Sequence, residues 1–213
     1  MAPDLAYVHR FEPGADPSRP PVLLLHGTGG DENDFIPLGR EIAPGAALLS
    51  PRGNVLEGDM SRFFRRFREG LFDEDDVRRR GGELADFVAE ARRAYGLARP
   101  LAFGYSNGAN IAAAVLLLHP KTFAGAILLR AMAPLAEPPG PDLSGVPVLI
   151  LSGLNDPIAP RSSAERLAAA LTAAGARVER DDLPAGHGLT QGDVTKAKAF
   201  YAREAAYSCR SGA

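Results

Sequence analysis

The sequence predicts an α/β fold with a mostly parallel central sheet covered by helices on both faces. Three observations carry that expectation. Short apolar runs bounded by Gly and Pro recur along the chain, helical patterns fall between them, and the two alternate, as parallel strands joined by crossover helices require. The first strong run is Val22-Leu23-Leu24-Leu25-His26, preceded by Pro20-Pro21 and followed by Gly27-Thr28-Gly29-Gly30. An unbroken apolar run of this kind suits a strand buried on both faces. Further strands are read at Ala46 to Ser50, Leu101 to Tyr105, Gly125 to Leu129, Val146 to Ser152 and Arg177 to Leu183, with Tyr7 to Phe11 as an edge strand.

The helices follow from spacing. Between Glu83 and Tyr95, residues Leu84, Phe87, Val88, Ala91 and Tyr95 recur three and four apart and form one stripe. Asn107 to Leu118 is apolar nearly all round, as in a helix buried against a sheet. Ser162 to Ala174 begins on a cap-like Ser162 with Glu165 three residues on, and stops at Gly175. Asp193 to Tyr207 reads as a final helix. Pro134 to Pro141 reads as a loop between strands. Gly53 to Gly82 has weak periodicity but holds Phe63, Phe64, Phe67 and Phe72, and reads as an insertion over the active-site end of the sheet.

A length of 213 residues suits a single domain, 1-213, with its own hydrophobic core. The formal net charge of -2 gives no strong pull toward nucleic acid or an anionic membrane. The arginine clusters Arg62, Arg65, Arg66, Arg68 and Arg78, Arg79, Arg80 read as solvated faces. The longest apolar run, Ile111 to Leu118, is far shorter than the roughly 20 residues of a membrane helix. No signal-peptide pattern stands in the first residues, and the single cysteine, Cys209, reads as a bystander. These features together predict a soluble, cytoplasmic protein.

The chemistry centres on Gly104-Tyr105-Ser106-Asn107-Gly108, a G-x-S-x-G pattern between an apolar strand and an apolar helix. A serine on such a sharp strand-to-helix turn points its hydroxyl outward, and the flanking glycines spare collisions with the neighbouring backbone. Chance alone yields on the order of 0.1 such patterns in a chain of this length, so context decides. Ser106 needs a base, and His187, in Pro184-Ala185-Gly186-His187-Gly188 beyond the last strand, is the candidate. His26 reads as a structural hydrogen-bonding residue, His119 as a helix end, and His9 lies upstream of the main sheet. The base needs an acid, and Asp156 follows the strand Val146 to Ser152, at the end where parallel sheets gather functional groups. Ser106, Asp156, His187 is the chain order expected of a nucleophile-elbow enzyme. Two backbone N–H groups, of Thr28 and Asn107, are candidates to bind an oxyanion. The Gly27 to Gly30 loop lacks the lysine and glycine spacing of phosphate-binding loops.

On these pieces the chain resembles the phospholipase/carboxylesterase family of α/β-hydrolases, which includes acyl-protein thioesterases and many bacterial carboxylesterases. The resemblance rests on Leu24-Leu25-His26-Gly27-Thr28-Gly29-Gly30-Asp31-Glu32, Ser50-Pro51-Arg52-Gly53, Gly104 to Asn110, Gly153-Leu154-Asn155-Asp156-Pro157-Ile158 and Gly186-His187, in the family's order. It departs from the eukaryotic thioesterases at Thr28, where they usually carry Leu, and at Asn107, where they usually carry Gln. Met60 to Phe67 looks more like the bacterial carboxylesterase branch. The resemblance implies an α/β-hydrolase fold. It also implies hydrolysis of a small-molecule carboxylic ester through an acyl-enzyme, without metal or organic cofactor, and a homodimer as one assembly. Phe63, Phe64 and Met132 are candidates for an apolar acyl or aryl pocket, with core packing as the alternative. A thioesterase, a lysophospholipase and a non-catalytic binding protein on the same scaffold are the competing functions.

Overall fold

The computed structural model describes residues 5–211. In chain order the main-sheet strands are β1 (His9–Glu12), β2 (Val22–Leu25) and β3 (Leu48–Pro51), with helix α1 (Ile36–Ile42) between the last two. Two hairpins follow, β4 (Val55–Glu57) with β5 (Met60–Arg62) and β6 (Arg66–Arg68) with β7 (Leu71–Phe72). Then come α2 (Glu74–Tyr95), β8 (Leu101–Tyr105), α3 (Asn107–Leu118), β9 (Gly125–Leu129), β10 (Pro147–Gly153), α4 (Arg161–Ala173), β11 (Arg177–Leu183) and α5 (Gln191–Ser211). The side chain of Cys209 lies outside the described residues.

The seven-stranded sheet runs β1-β3-β2-β8-β9-β10-β11. Every pairing in it is parallel except β1 with β3. The expected α/β fold, with helices on both faces, is what the chain adopts. Side chains on a strand alternate between faces, and the core divides accordingly. Leu23, Leu25, Ala102, Leu128, Val148 and Ile150 pack with α2, α3 and α4. Val22, Leu24, Phe103, Ile127, Leu129 and Leu151 pack with α1 and α5. The unbroken apolar runs are thus the signature of a sheet buried on both sides, each fully buried Leu or Val contributing about 1.5–3 kcal/mol. Helix α3 is buried from Asn107 through Leu117, held between the sheet and α2.

Three sequence expectations need correction. Helix α2 starts at Glu74, not Glu83, with Asp73 as its N-cap, accepting from the Asp76 N–H. The Arg78–Arg80 run and the Gly81-Gly82 pair hid its first turns; Gly81 faces Val115 and Leu118 of α3. Helix α4 starts at Arg161 with Pro160 at the cap position and no side-chain cap; Ser162 is inside it. The arginine clusters are only partly solvated faces. Arg62 is buried, and Arg65, Arg79 and Arg80 converge on the carboxylate of Asp76, which is itself fully buried. Helix α1, seven residues with Pro37 in its first turn, was too short to show a period.

The chain leaves β2 toward the β3 edge and returns at β8 to build the other half of the sheet. The strand order therefore reverses between β2 and β8, the kind of switch point at whose carboxyl end open parallel sheets gather functional groups. The turn after β8 carries Ser106, and the loop after β2 carries Thr28.

Candidate active site

Ser106 stands on the turn between β8 and α3 with φ 51° and ψ -113°, a conformation L residues rarely adopt. Packing enforces it. A Cβ on Gly104 would lie 2.6 Å from the Gly108 carbonyl oxygen, and one on Gly108 would lie 2.1 Å from that of Leu25. Both distances are far inside contact, so Gly104 must be glycine for the elbow to close on α3, and Gly108 for α3 to close on β2. The Ser106 N–H donates to the Leu129 carbonyl at 2.9 Å, which fixes the turn to the neighbouring strand.

The hydroxyl so presented meets His187. Its Nε2 lies 3.0 Å from Ser106 Oγ, and its Nδ1 lies 2.8 Å from Asp156 Oδ2. Asp156 cannot donate as a carboxylate, so the pairing puts the imidazole proton on Nδ1 and leaves Nε2 as an acceptor for the serine proton. The other carboxylate oxygen, Oδ1, accepts from the backbone N–H groups of Ile158 at 2.8 Å and Ala159 at 2.9 Å. The Asp156 side chain is 1% exposed and that of His187 18%, so the acid is sealed while the base reaches the surface of the site.

The two loops that bring acid and base together are zipped by backbone bonds, Leu154 N–H to the Leu183 carbonyl at 2.8 Å and Asn155 N–H to that of Ala185 at 2.9 Å. Gly153 permits this approach, since a Cβ there would lie 2.3 Å from the Gly186 carbonyl oxygen.

The loop after β2 is held against the elbow. Its Gly27 lies on the Tyr105 ring, where a Cβ would come within 2.8 Å. His26 is buried, with Nδ1 2.6 Å from the Gly27 carbonyl and Nε2 accepting from the Gly53 N–H at 2.9 Å. That pattern requires the neutral ring, and burial pushes its pKa below the ordinary 6.5. His26 is thus structural, as its sequence position suggested. His9 likewise spends both ring nitrogens on the Tyr7 carbonyl and the Tyr95 hydroxyl.

The insertion adds two further ties. Arg62 Nη1 donates to Thr28 Oγ1 at 2.6 Å, and the Gly29 N–H donates to the Ser61 carbonyl at 2.9 Å. From the other side, Asn107 Oδ1 accepts from the Phe63 N–H at 2.7 Å. The hairpin β4–β5 and the residues after it therefore brace both the Thr28 loop and the start of α3.

Of the candidate pocket residues, Phe63 and Phe64 are fully buried in the core beside His26 and Phe72 respectively, and Met132 is 5% exposed. Two site-proximal residues carried no sequence signal. Tyr105, inside the G-x-S-x-G pattern at a position free to vary, donates its hydroxyl to the His187 carbonyl at 3.1 Å. Arg130, after β9, is buried and bound to the same loop.

A mostly parallel sheet with a glycine-flanked serine elbow, and an acid and a base on the loops after later strands, defines an α/β-hydrolase. No family model matches the sequence, but individual proteins do. The chain is 43% identical over 195 residues to "Putative hydrolase MhqD" of Bacillus subtilis, covering 91% of this chain and 96% of that one. The crystal structure of a Bacillus cereus carboxylesterase superposes with a TM-score of 0.91 at 44% identity, over 93% of this chain and 94% of the other. A carboxylesterase from Mesorhizobium loti superposes with a TM-score of 0.88 at 34% identity, over 93% and 96%. The chain belongs to the phospholipase/carboxylesterase family of α/β-hydrolases.

Proposed function

We propose that the protein is a serine carboxylesterase that hydrolyses small to medium carboxylic esters through an acyl-enzyme. The observation that carries this reading is the continuous hydrogen-bonded chain from Ser106 Oγ through His187 to Asp156. Relatives named as carboxylesterases at 44% and 34% identity support the substrate class.

In the first half-reaction Ser106 Oγ forms a bond to the ester carbonyl carbon while His187 Nε2 takes the hydroxyl proton. The resulting oxyanion is met by the backbone N–H groups of Thr28 and Asn107, each donor of this kind contributing about 3 kcal/mol. Collapse breaks the bond to the alkoxy group, and His187 returns the proton to it, so the alcohol leaves neutral. In the second half, His187 takes a proton from water as the water oxygen bonds to the acyl carbon. The Ser106–acyl bond then breaks, Ser106 regains a proton from His187, and the acid departs. Asp156 stays ionised throughout and offsets the imidazolium charge. The electron pairs balance within the triad and water, with no external reductant, oxidant or metal required.

Purified protein assayed on aryl esters of increasing acyl length, on acyl thioesters and on lysophospholipids tests the proposal, with Ser106→Ala as control. Turnover highest on short and medium esters and absent from the variant is the expected result. Preference for thioesters or lysolipids would move the substrate class, and turnover that survives Ser106→Ala would remove the triad. A cytoplasmic location belongs to the same proposal and is checked by cell fractionation.

A further inference from the structure

Arg130 is the largest fully buried side chain among the described residues, and no step of the chemistry above uses it. It follows β9 with φ 55°, a strained conformation for any residue with a side chain. Its guanidinium pairs with Asp193 in the first turn of α5 through two bonds, Nη1 to Oδ1 at 2.8 Å and Nη2 to Oδ2 at 2.9 Å. The Asp193 side chain is 2% exposed, and its Oδ2 also accepts from the Thr190 N–H and hydroxyl.

What remains of the guanidinium is spent on carbonyls. Nε donates to Gly186 at 2.9 Å, Nη2 to Gly188 at 3.0 Å and Nη1 to Leu151 at 3.3 Å. The carbonyl between those of the two glycines, of His187 itself, accepts from the Tyr105 hydroxyl. Three successive carbonyls, one on each side of the base and its own, are therefore each held by a side-chain donor.

A Gly-His-Gly turn has the backbone freedom of two glycines around its histidine. The ring needs to sit within hydrogen-bond reach of both Ser106 and Asp156, and a misplacement of about 1 Å costs on the order of 100-fold in rate. We infer that Arg130, charge-balanced by Asp193 and assisted by Tyr105, is a positioning residue that clamps the Gly186-His187-Gly188 backbone so that the imidazole bridges Ser106 and Asp156. The inference rests on the triad proposed above. Arg130 touches no reacting atom; it acts only through the backbone that carries the base.

Arg130→Lys and Arg130→Gly test it. Lysine keeps the charge opposite Asp193 but cannot pair with it and reach both glycine carbonyls, and glycine suits the positive φ while leaving a guanidinium-sized hole. Each variant is expected to lose about 10- to 100-fold in kcat with KM little changed. Guanidinium chloride at a non-denaturing concentration is expected to restore part of the loss in Arg130→Gly, and sodium chloride of equal ionic strength is not. Circular dichroism and melting temperature confirm that the assayed protein is folded. A folded Arg130→Lys with wild-type kcat overturns the inference, as does a loss in Arg130→Gly that guanidinium leaves untouched. If neither variant folds, Tyr105→Phe decides. A drop in kcat at unchanged melting temperature supports the clamp, and wild-type kcat removes it. Turnover that persists in Ser106→Ala overturns the triad instead, whatever the Arg130 variants do.

Discussion

Ser106 and Arg130 occupy equivalent places on adjacent parallel strands. Each is the first residue past its strand, β8 or β9, and each donates its N–H to a carbonyl of the next strand over, that of Leu129 for Ser106 and Leu151 for Arg130. They are also the two residues other than glycine with positive φ among those described, at 51° and 55°. From there they diverge. Ser106 stays partly exposed, whereas Arg130 turns into the protein and ends on a buried carboxylate and three carbonyls. One strained turn exposes a hydroxyl and the other hides a cation. The same backbone device thus serves two ends, and backbone strain by itself does not say which residue reacts.

The largest expected effect breaks the exposed member. Ser106→Ala keeps the turn and its neighbours and removes only the hydroxyl proposed to attack the ester, so turnover should fall by at least about 10⁴-fold with the circular dichroism spectrum unchanged. The matching insult to the hidden member acts on the fold. Arg130→Met leaves Asp193 buried without a counter-charge and should destabilise the protein by about 3–5 kcal/mol in chemical denaturation. Removing the orphaned charge as well, in Arg130→Met/Asp193→Leu, should recover a large part of that loss. A double variant no more stable than the single one would mean that the carbonyl bonds, not the ion pair, carry the stability of this corner.

The pair also explains how much of the site could be read in advance. The elbow was legible because backbone crowding at Gly104 and Gly108 excludes every other residue, and that exclusion leaves a spaced pattern in the chain. Asp156 and His187 were legible by order, since the loops after successive strands converge on one end of the sheet. Arg130 has neighbours Leu129 and Ala131 and a partner 63 residues away, and an ion pair across that separation leaves no period or spacing. Arg62 was hidden for the reverse reason. It stands in a run of arginines that looks like a solvated face, while the fold buries it against Thr28 and the Phe64 carbonyl. The first turns of α2 were lost because Gly81 and Gly82, which look like breakers, are small where α3 passes. The sheet, whose burial dictates long apolar runs, was therefore readable, and the polar braces of the site were not.

A smaller effect probes why Ser106 can hold its conformation. Gly108→Ala would drive a Cβ into the carbonyls of Leu25 and His26, 2.1 and 2.5 Å away. Backbone cannot yield as a flexible side chain can, so β2 and α3 would have to part, at a cost of about 1–3 kcal/mol. Because the Thr28 loop continues from that strand, kcat should fall with stability. Ala131→Gly, one residue past Arg130, meets no such constraint and should leave kcat unaltered while costing about 1 kcal/mol or less. Melting curves and steady-state kinetics on both variants separate the two turns.

The smallest effect concerns His26, which braces the loop beside the elbow as Arg130 braces the loop of the base, but does so as a neutral ring. Burial lowers its pKa below the ordinary 6.5, and Nε2 must stay unprotonated to accept from the Gly53 N–H. Once the pH falls below 6.5, the unfolded chain binds a proton that the folded chain does not. Stability should therefore decline with acidification through that window and level off below the folded-state pKa. In His26→Gln, whose amide oxygen offers the Gly53 N–H an acceptor without titrating, the decline between about pH 6.5 and 5 should be shallower, before the carboxylates begin to protonate. Urea denaturation at closely spaced pH values measures the two slopes. Equal slopes would show that the proton uptake lies elsewhere, and that the Thr28 loop, unlike the His187 loop, is held by packing on the Tyr105 ring rather than by its buried polar brace.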